Sequence, residues 1–433
     1  MERYMQKNLS KGSTQILERS ILWFILLLSI GLRISLYKVQ TNDYVVFFGP
    51  WYDFVQTHGH FAAFKYQISN YIISNYHPPY LYLLILATYL PIQKIFAIKT
   101  ISVCFDMVIA LFTYLMLRLK YKHSYAPVIG ALVTLFAPTI FMNSAAWGQF
   151  DAIYIACCLG SLYFLLCKRP VWACIFFGIA ISFKLQAIFF LPVLILLLVT
   201  RKLPIKSLIL IPVIYLALLT PAFFEGRDAW SLLTIYLREA NDRYPHLALD
   251  APTFYQWLPT GALQDWKWMG IMLATMMVAL ISFLALTSRK LITPDIILKL
   301  TLVFSLVIPF LLPEMHERYF YLADVISIIY AFYFPCYFYV ALIEQLCSLM
   351  GYTFYLFHIR ILSFSYVAFF VLFLIMVTLA DLVKTLYPNI QTLATVPVTL
   401  NNDMLPNLPD NAVSPKVSSN VTSQNDVNSG TRT

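Results

Sequence analysis

Charged side chains are scarce in this chain of 433 residues: they make up 12% of it, whereas 60% of the residues are hydrophobic and 16% are aromatic. A soluble globular domain is about a quarter charged and about half apolar. So few polar side chains cannot cover a water-facing surface, which excludes an ordinary soluble domain. We therefore expect an integral membrane protein, with lipid as the solvent for much of its surface.

Several common site motifs are also missing. None of the seven cysteines stands in a CxxC arrangement, so neither a disulfide framework nor a zinc site is indicated. His58-Gly59-His60 has no clear third ligand, and we expect neither a divalent metal nor another cofactor. Without a GxGxxG or GKS loop, a glycine-rich nucleotide site is not expected.

The net charge of +9 comes from short basic clusters between apolar runs. This pattern is typical of membrane topology and not of a nucleic-acid interface. Two crossings between successive clusters place all of them on the cytoplasmic side. The clusters are the N-terminus, Arg118/Lys120/Lys122, Lys168/Arg169, Arg201/Lys202/Lys206 and Arg289/Lys290.

The apolar runs predict an all-α polytopic fold of about 11–13 transmembrane helices, each needing about 20 apolar residues. If residues 79–96 crossed the membrane, every later basic cluster would lie on the outward side. We therefore interpret them as interfacial or re-entrant. We divide the chain into a cytoplasmic N-terminus (1–19), a transmembrane domain (20–390) and a disordered tail (391–433). The predicted spans are 20–38, 98–117, 125–142, 152–167, 170–183, 186–200, 207–222, 267–287, 293–312, 319–335, 337–357 and 361–380.

This topology gathers the unusual polar residues on the outward face. They fall in two long loops and three short turns, at residues 39–78, 223–264, 143–151, 184–186 and 313–318. Ionisable groups at the apolar boundary are expensive to desolvate and tend to be paired or functional. The sequence therefore predicts one polar cavity that faces outward.

Asp43, at the exit of the first helix, is the candidate general base, since a carboxylate there could accept the proton of an alcohol. The alternative is a solvated helix-end residue or a helix cap. Asp53, a lone acid in the same loop, is expected to be solvated. Asp106 lies inside the second span, where structural pairing with Lys99 or Lys184 is expected.

Three cationic or titratable residues are candidates to bind a lipid phosphate: Arg318, Lys184 and His316. Arginine offers a planar, permanently charged fork that suits phosphate oxygens. The alternatives are snorkelling of Arg318 to the headgroups and a satisfied buried histidine at position 316.

The WGQFD turn combines a ring, an amide and a carboxylate, as carbohydrate sites often do. We predict sugar or acceptor binding by Trp147, Gln149, Asp151, His77 and Glu317. The alternatives are an interfacial tryptophan and, for Asp151, the N-cap of the next helix.

Four stretches, the early outward acid, HPPYLY, WGQFD and PEMHERYFY, resemble the bacterial mannosyltransferase-related proteins akin to the enzyme that adds the second mannose of GPI anchors. These belong to the GT-C glycosyltransferase superfamily, and the resemblance covers about residues 15–380. It implies a GT-C bundle with a catalytic first outward loop, a polyprenyl-phosphate sugar donor, inverting transfer and Asp43 as the base. Many members carry a paired acidic motif in this loop, whereas this chain has Asn42-Asp43.

The resemblance favours mannose as the sugar, and the acceptor could be a lipid, a glycan or a protein. We expect a bacterial plasma membrane with the active site on its outer face. Two other functions stay open: a polyprenyl-linked glycan polymerase or ligase, and a lipid-linked sugar transporter or flippase. The polymerase or ligase is supported by three arginines of the second loop, Arg227, Arg238 and Arg243. The sequence shows no convincing repeat of the transporter kind.

Overall fold

The computed structural model describes residues 20–66, 77–241, 246–259, 265–288 and 290–388. This part of the chain is a bundle of helices with one pair of two-residue strands. The helices are α1 Ser20–Leu36, α2 Gly49–Thr57, α3 Pro78–Thr88, α4 Lys94–Lys120, α5 Ala126–Phe136, α6 Pro138–Trp147, α7 Asp151–Leu166, α8 Pro170–Phe183, α9 Leu185–Val199, α10 Ile205–Phe224, α11 Ala229–Leu233, α12 Ile235–Asn241, α13 Asp265–Thr287, α14 Pro294–Leu311, α15 Tyr321–Tyr333, α16 Phe338–Phe357 and α17 Phe364–Leu386.

Each of the twelve predicted spans contains a helix, and the all-α polytopic class is confirmed. Six of the described helices are long and apolar enough to cross a membrane, or seven if the bent pair α5–α6 is one span. A multi-pass integral membrane protein follows from these helices. The shorter apolar helices, among them α1, α7, α8 and α9, have fewer than the 20 or so residues that a straight crossing needs. The higher count of crossings stays a prediction.

The segment 79–96 does not form a span of its own. Its helical part, α3, has 11 residues and a length of about 16 Å, too short for a bilayer core of about 30 Å. The chain turns after Thr88, and α4 begins at Lys94. The interfacial or re-entrant placement of this segment stays a prediction. Both termini, residues 1–19 and 389–433, lie outside the described residues, as does the predicted tail.

A break at Pro138 brings the WGQFD turn into the bundle. Proline disfavours a helical conformation in the residue before it, and Ala137 is extended with φ −64° and ψ 125°. The axes of α5 and α6 consequently meet at 50°. The second half of α6, Met142–Trp147, is a π-helical turn whose residues are all buried.

The helix α14 lies at the centre of the bundle, where each residue from Ile296 to Leu311 is buried. It packs against α13, α15 and α17, while α7 packs against α4 and α8. Between α14 and α15 the chain forms strand β2, Met315–His316, which pairs in parallel with β1, Ala248–Leu249. This pairing ties the second long loop to the PEMHERYFY segment.

Candidate active site

The carboxylate of Asp43 is held by two N–H groups of one turn. The indole Nε1 of Trp147 donates to Asp43 Oδ2 at 2.9 Å, and the amide Nε2 of Gln149 donates to the same oxygen. Asp43 is half-buried, whereas Trp147 and Gln149 are buried. Two donors on one oxygen fix the plane of the carboxylate, so its second oxygen, Oδ1, has a defined direction. The first loop and the WGQFD turn therefore meet, as the sequence predicted.

Lys99 and Thr41 hold these two segments together. The buried Lys99 ammonium donates to three backbone carbonyls, those of Leu36 at 3.3 Å, Val39 at 2.6 Å and Ala146 at 2.9 Å. Because helix C-termini expose carbonyls, a cation at the end of α1 is favourable. Thr41 Oγ1 donates to the Trp147 carbonyl at 3.0 Å. Gly148, at φ +81°, lies so close that a Cβ would come 3.3 Å from Lys99 Cγ, which favours glycine there.

Asp151 and Lys184 form a buried ion pair beside the WGQFD residues that bind Asp43. Asp151 is the first residue of α7, and Lys184 lies in the turn between α8 and α9. The Lys184 ammonium contacts Asp151 Oδ1, and Asn143 Nδ2 donates to Asp151 Oδ2 at 3.2 Å. Burial lowers the pKa of Lys184, and the carboxylate of Asp151 opposes that shift. Asp151 is thus a partner of a cation and does not cap α7 through its side chain.

The PEMHERYFY segment completes the cluster. Glu317 is buried; its Oε1 accepts from Arg318 Nη1 at 3.2 Å, and its Oε2 lies 3.7 Å from His316 Nδ1. Arg318 Nε lies 3.7 Å from Asp151 Oδ2, an ion-pair distance. This buried Nε has no hydrogen-bond partner among the described residues. Arg318 therefore contributes a fixed positive charge that is enclosed between Glu317 and Asp151.

The ring of Trp147 has no exposed face for a sugar, because the side chain is 0% exposed. Tyr355 stacks on it with centroids 4.0 Å apart, Tyr352 meets it edge-on at 5.4 Å, and the Arg318 guanidinium lies 5.3 Å from its centre. The predicted binding of sugar or acceptor by Trp147 therefore cannot use its ring face in this packing, and it stays a prediction. Trp147 donates its N–H to Asp43, and its ring contacts Arg318.

Two of these neighbours, Tyr352 and Tyr355, were not predicted. Tyr352 accepts a hydrogen bond from Asn143 Nδ2 at 3.0 Å, so it joins the network around Asp151. Both lie in α16, an apolar helix with many aromatic residues. Nothing local in the sequence distinguishes them from lipid-facing or core aromatics, and only the packing of α16 on α6 identifies them.

His77 lies in a separate aromatic environment. It precedes α3, is 3% exposed and stacks on Tyr236 with ring centroids 3.8 Å apart. Burial, with the positive charges of Arg227 and Arg238, lowers its pKa from 6.5 to about 3. Neither ring nitrogen has a hydrogen-bond partner among the described residues. His77 is therefore neutral, and no contact joins it directly to Asp43.

Asp106 pairs with a residue that the sequence analysis did not name. Arg33 Nε lies 2.8 Å from its Oδ2, and both side chains are fully buried. Ser144 Oγ also donates to this carboxylate, at 2.5 Å. The expected partners, Lys99 and Lys184, are wrong, because both bind other groups of the cluster. The structural role expected for Asp106 agrees with this pairing, which ties α1 and α4 to α6.

The remaining polar residues of the first loop have local partners. Asp53, at 56% side-chain exposure, pairs with Lys94 at 2.7 Å. The rings of His58 and His60 point to different neighbours: His58 stacks on Phe54 at 3.9 Å, and His60 stacks on Tyr89 at 4.4 Å. Within the described ranges, no group of three His, Cys, Asp or Glu residues could hold a metal.

Five charged side chains thus lie in one network: Asp43, Asp151, Glu317, Lys184 and Arg318. Each cation is already matched by a carboxylate, which lowers the cost of keeping it buried. The network offers an oriented acid that could accept a proton and two fixed positive charges that could stabilise a developing anion. Burial strengthens such charge interactions relative to water.

Comparison with known protein families gives a match. The model of the family described as Glycosyltransferase family 87 matches residues 75–313, which is more than half of the chain. The matched region includes Trp147, Gln149, Asp151 and Lys184, while Asp43 and the residues from Glu314 onwards lie outside it. No curated protein matches the chain.

Proposed function

Because the chain belongs to glycosyltransferase family 87, we propose that it transfers a hexose from a polyprenyl-phosphate donor to an acceptor hydroxyl, with Asp43 as general base. The observation that carries this proposal is the position of Asp43. Its carboxylate is oriented by Trp147 and Gln149 in the same network as Lys184 and Arg318.

The reaction is a single displacement at the anomeric carbon. The acceptor oxygen forms a bond to this carbon while its proton passes to Asp43. The bond from the anomeric carbon to the phosphate oxygen breaks, and the lipid phosphate leaves with the electron pair. Attack from the side opposite the leaving group inverts the configuration. The positive charges of Arg318 and Lys184 stabilise the negative charge that grows on the phosphate, with His316 at the edge of the same site.

Compartment and charge support a lipid donor. Asp43 and Arg318 lie at the ends of helices opposite to the basic turns, and the basic turns favour the cytoplasmic side. Nucleotide sugars are made in the cytoplasm, whereas a flipped lipid phosphate presents its sugar on the other face. We place the site on the outer face of a bacterial plasma membrane and take mannose, the sugar favoured by the sequence resemblance, as the first donor to test.

The sugar and acceptor bind between the first loop and the PEMHERYFY segment. Gln149, Asp151 and Glu317 are less than 3% exposed, so they act by fixing the neighbours that meet the substrate. His77 is 3% exposed and stacks on Tyr236, so we propose that it acts in the same way, by fixing Tyr236. The acceptor is a lipid, a glycan or a protein, and its class determines which of its groups lie near this part of the site.

A glycan polymerase or ligase is the second candidate. Arg227 and Arg238 of the second loop are close enough to His77 to lower its pKa, which places two cations beside an aromatic pocket. A polymerase would use them to hold a second lipid phosphate. Arg243, the third arginine of this loop, lies outside the described residues.

Donor choice in proteoliposomes tests the proposal. The purified protein is given radiolabelled polyprenyl-phosphate mannose, polyprenyl-phosphate glucose or a nucleotide-activated mannose, together with envelope lipids and glycans as acceptors. We expect label in the acceptor fraction only from a polyprenyl-phosphate sugar. Transfer from the nucleotide sugar would contradict the lipid donor, and movement of labelled lipid across the bilayer without transfer would indicate a flippase. Products that lengthen with time would favour the polymerase.

A further inference from the structure

A cavity of about 360 Å³ lies where the ends of α7, α8, α9 and α14 meet. Its wall is apolar and its rim is basic, with no carboxylate among the residues that line it. The apolar lining residues are Leu165, Leu166, Pro170, Leu197, Ile292, Pro294 and Ile297, and the basic ones are Lys168, Arg169 and Lys202. A cavity of this composition fits a ligand with an anionic head and an apolar body.

The three basic residues form a local excess of positive charge. Lys168, Arg169 and Lys202 are exposed, and none of them forms an ion pair with a carboxylate of the described residues. The ammonium of Lys202 also donates to the carbonyl of Ile292, which joins the end of α9 to the start of α14. The charge therefore sits at a fixed place on the cavity rim.

The cavity is distant from the candidate active site. The helix α7 begins at Asp151, in the active-site network, and ends at Leu166, in the cavity wall. Its 16 residues span about 24 Å. Likewise, α8 begins at Pro170 in the cavity and ends beside Lys184. The cavity therefore lies on the face of the basic turns, which the positive-inside rule assigns to the cytoplasmic leaflet.

We propose that this cavity binds an anionic phospholipid of that leaflet. The headgroup phosphate contacts Lys168, Arg169 and Lys202, and an acyl chain lies against the apolar wall. Basic pockets between helices at the cytoplasmic surface recognise such headgroups, and each cation near an anionic surface contributes favourably. A free phosphate would meet the cations but leave the apolar wall uncovered, and covering apolar surface is what favours the lipid. The bound lipid ties together the ends of four helices.

Thermal unfolding and native mass spectrometry test this proposal on the full chain. The protein is purified in neutral detergent and titrated with phosphatidylglycerol, phosphatidylcholine or inorganic phosphate. The cavity variant is Lys168→Gln/Arg169→Gln/Lys202→Gln. The matched control, Arg118→Gln/Lys122→Gln/Lys206→Gln, removes the same charge from the same face but outside the cavity.

We expect phosphatidylglycerol to raise the melting temperature of the wild type and of the control variant by a few degrees. The melting temperature of the cavity variant should not change. Native spectra should show one retained anionic lipid fewer in the cavity variant. Equal responses of the two variants would mean a general surface charge effect and would overturn the proposal. So would a full response to inorganic phosphate or to phosphatidylcholine. If the triple cavity variant does not fold, Lys168→Gln/Arg169→Gln, at two exposed positions, gives the same comparison.

Discussion

Replacing Lys99 by methionine should loosen the connection between the end of α1, which leads to Asp43, and the WGQFD turn that orients it. Methionine has a similar length but carries no charge and no donor, so the carbonyls of Leu36, Val39 and Ala146 lose their shared partner. Near Asp43, the bond from Thr41 to the Trp147 carbonyl and the contacts of Asp43 itself remain, and the Arg33–Asp106–Ser144 pairing still joins α1 to α6 farther from the site.

The size of the effect follows from these bonds. Hydrogen bonds from a charged donor contribute about 1.5–3 kcal/mol each, and Lys99 makes three. Removing the cation also recovers the several kcal/mol spent on its desolvation. We therefore expect a net loss of about 2–4 kcal/mol of stability. A displacement of about 1 Å at a reacting group costs about 100-fold in rate, so kcat should fall by about that factor. The KM for the donor should stay near its wild-type value, because Arg318 and Lys184 lie on other segments.

The assay is sugar transfer at saturating acceptor, with kcat and KM for the donor measured separately and the melting temperature recorded. Lys299→Met is the matched control, because Lys299 is also buried and binds Asp381 at 2.6 Å. Lys299 lies near the start of α14, whereas the end of α14 leads to the PEMHERYFY segment of the site. The control should lose stability and keep its kcat. A Lys99→Met variant with wild-type kcat would refute the positioning role. So would a Lys299→Met control whose kcat falls by the same factor.

Two further predictions concern the buried charges and His77. Lys184→Met should destabilise the fold by about 3–5 kcal/mol because the buried Asp151 loses its nearest cation and keeps only the ion-pair contact with Arg318 at 3.7 Å. Lys184→Met/Asp151→Asn should lose less than the sum of the two single variants; chemical denaturation of Lys184→Met, Asp151→Asn and the double variant measures this, and additive losses would contradict the pairing. His77 has a pKa of about 3 in the folded state, so the unfolded chain takes up its proton first as the pH falls below 6.5. Stability should therefore fall with decreasing pH between about 6.5 and 3, by up to about 1.4 kcal/mol per pH unit. His77→Phe, which keeps the ring stack on Tyr236, should show a shallower slope over this range; identical slopes would contradict a neutral buried histidine.

The sequence predicted the helices well, because the length of an apolar run reflects the thickness of a membrane and the basic clusters reflect which side a loop faces. It also predicted that Asp43, the WGQFD turn and the PEMHERYFY segment would meet, since all lie at the same ends of their helices. Periodicity does not give the rotation of a helix about its axis when nearly every residue is apolar. The pairing of Asp106 with Arg33 and not with Lys99 depends on that rotation.

Burial was the other unpredictable quantity. The composition of the WGQFD turn suggested a sugar platform, but the break at Pro138 turns Trp147 inward, where Tyr355 covers it. The contact between β1 and β2 involves only two residues on each side, which is too short to leave a pattern. Long-range packing therefore decided how the site is arranged, while the residue types indicated only what chemistry it could support.

The rate of sugar transfer by Asp43→Asn tests the central claim most directly. Asparagine keeps an oxygen that can accept from Trp147 and Gln149 but cannot take up the acceptor proton, so we predict a loss of about 10²–10⁴-fold with the melting temperature unchanged. Asp53→Asn, in the same loop and 56% exposed, should transfer at the wild-type rate. An Asp43→Asn protein that transfers sugar as fast as the wild type would contradict the assignment of the base.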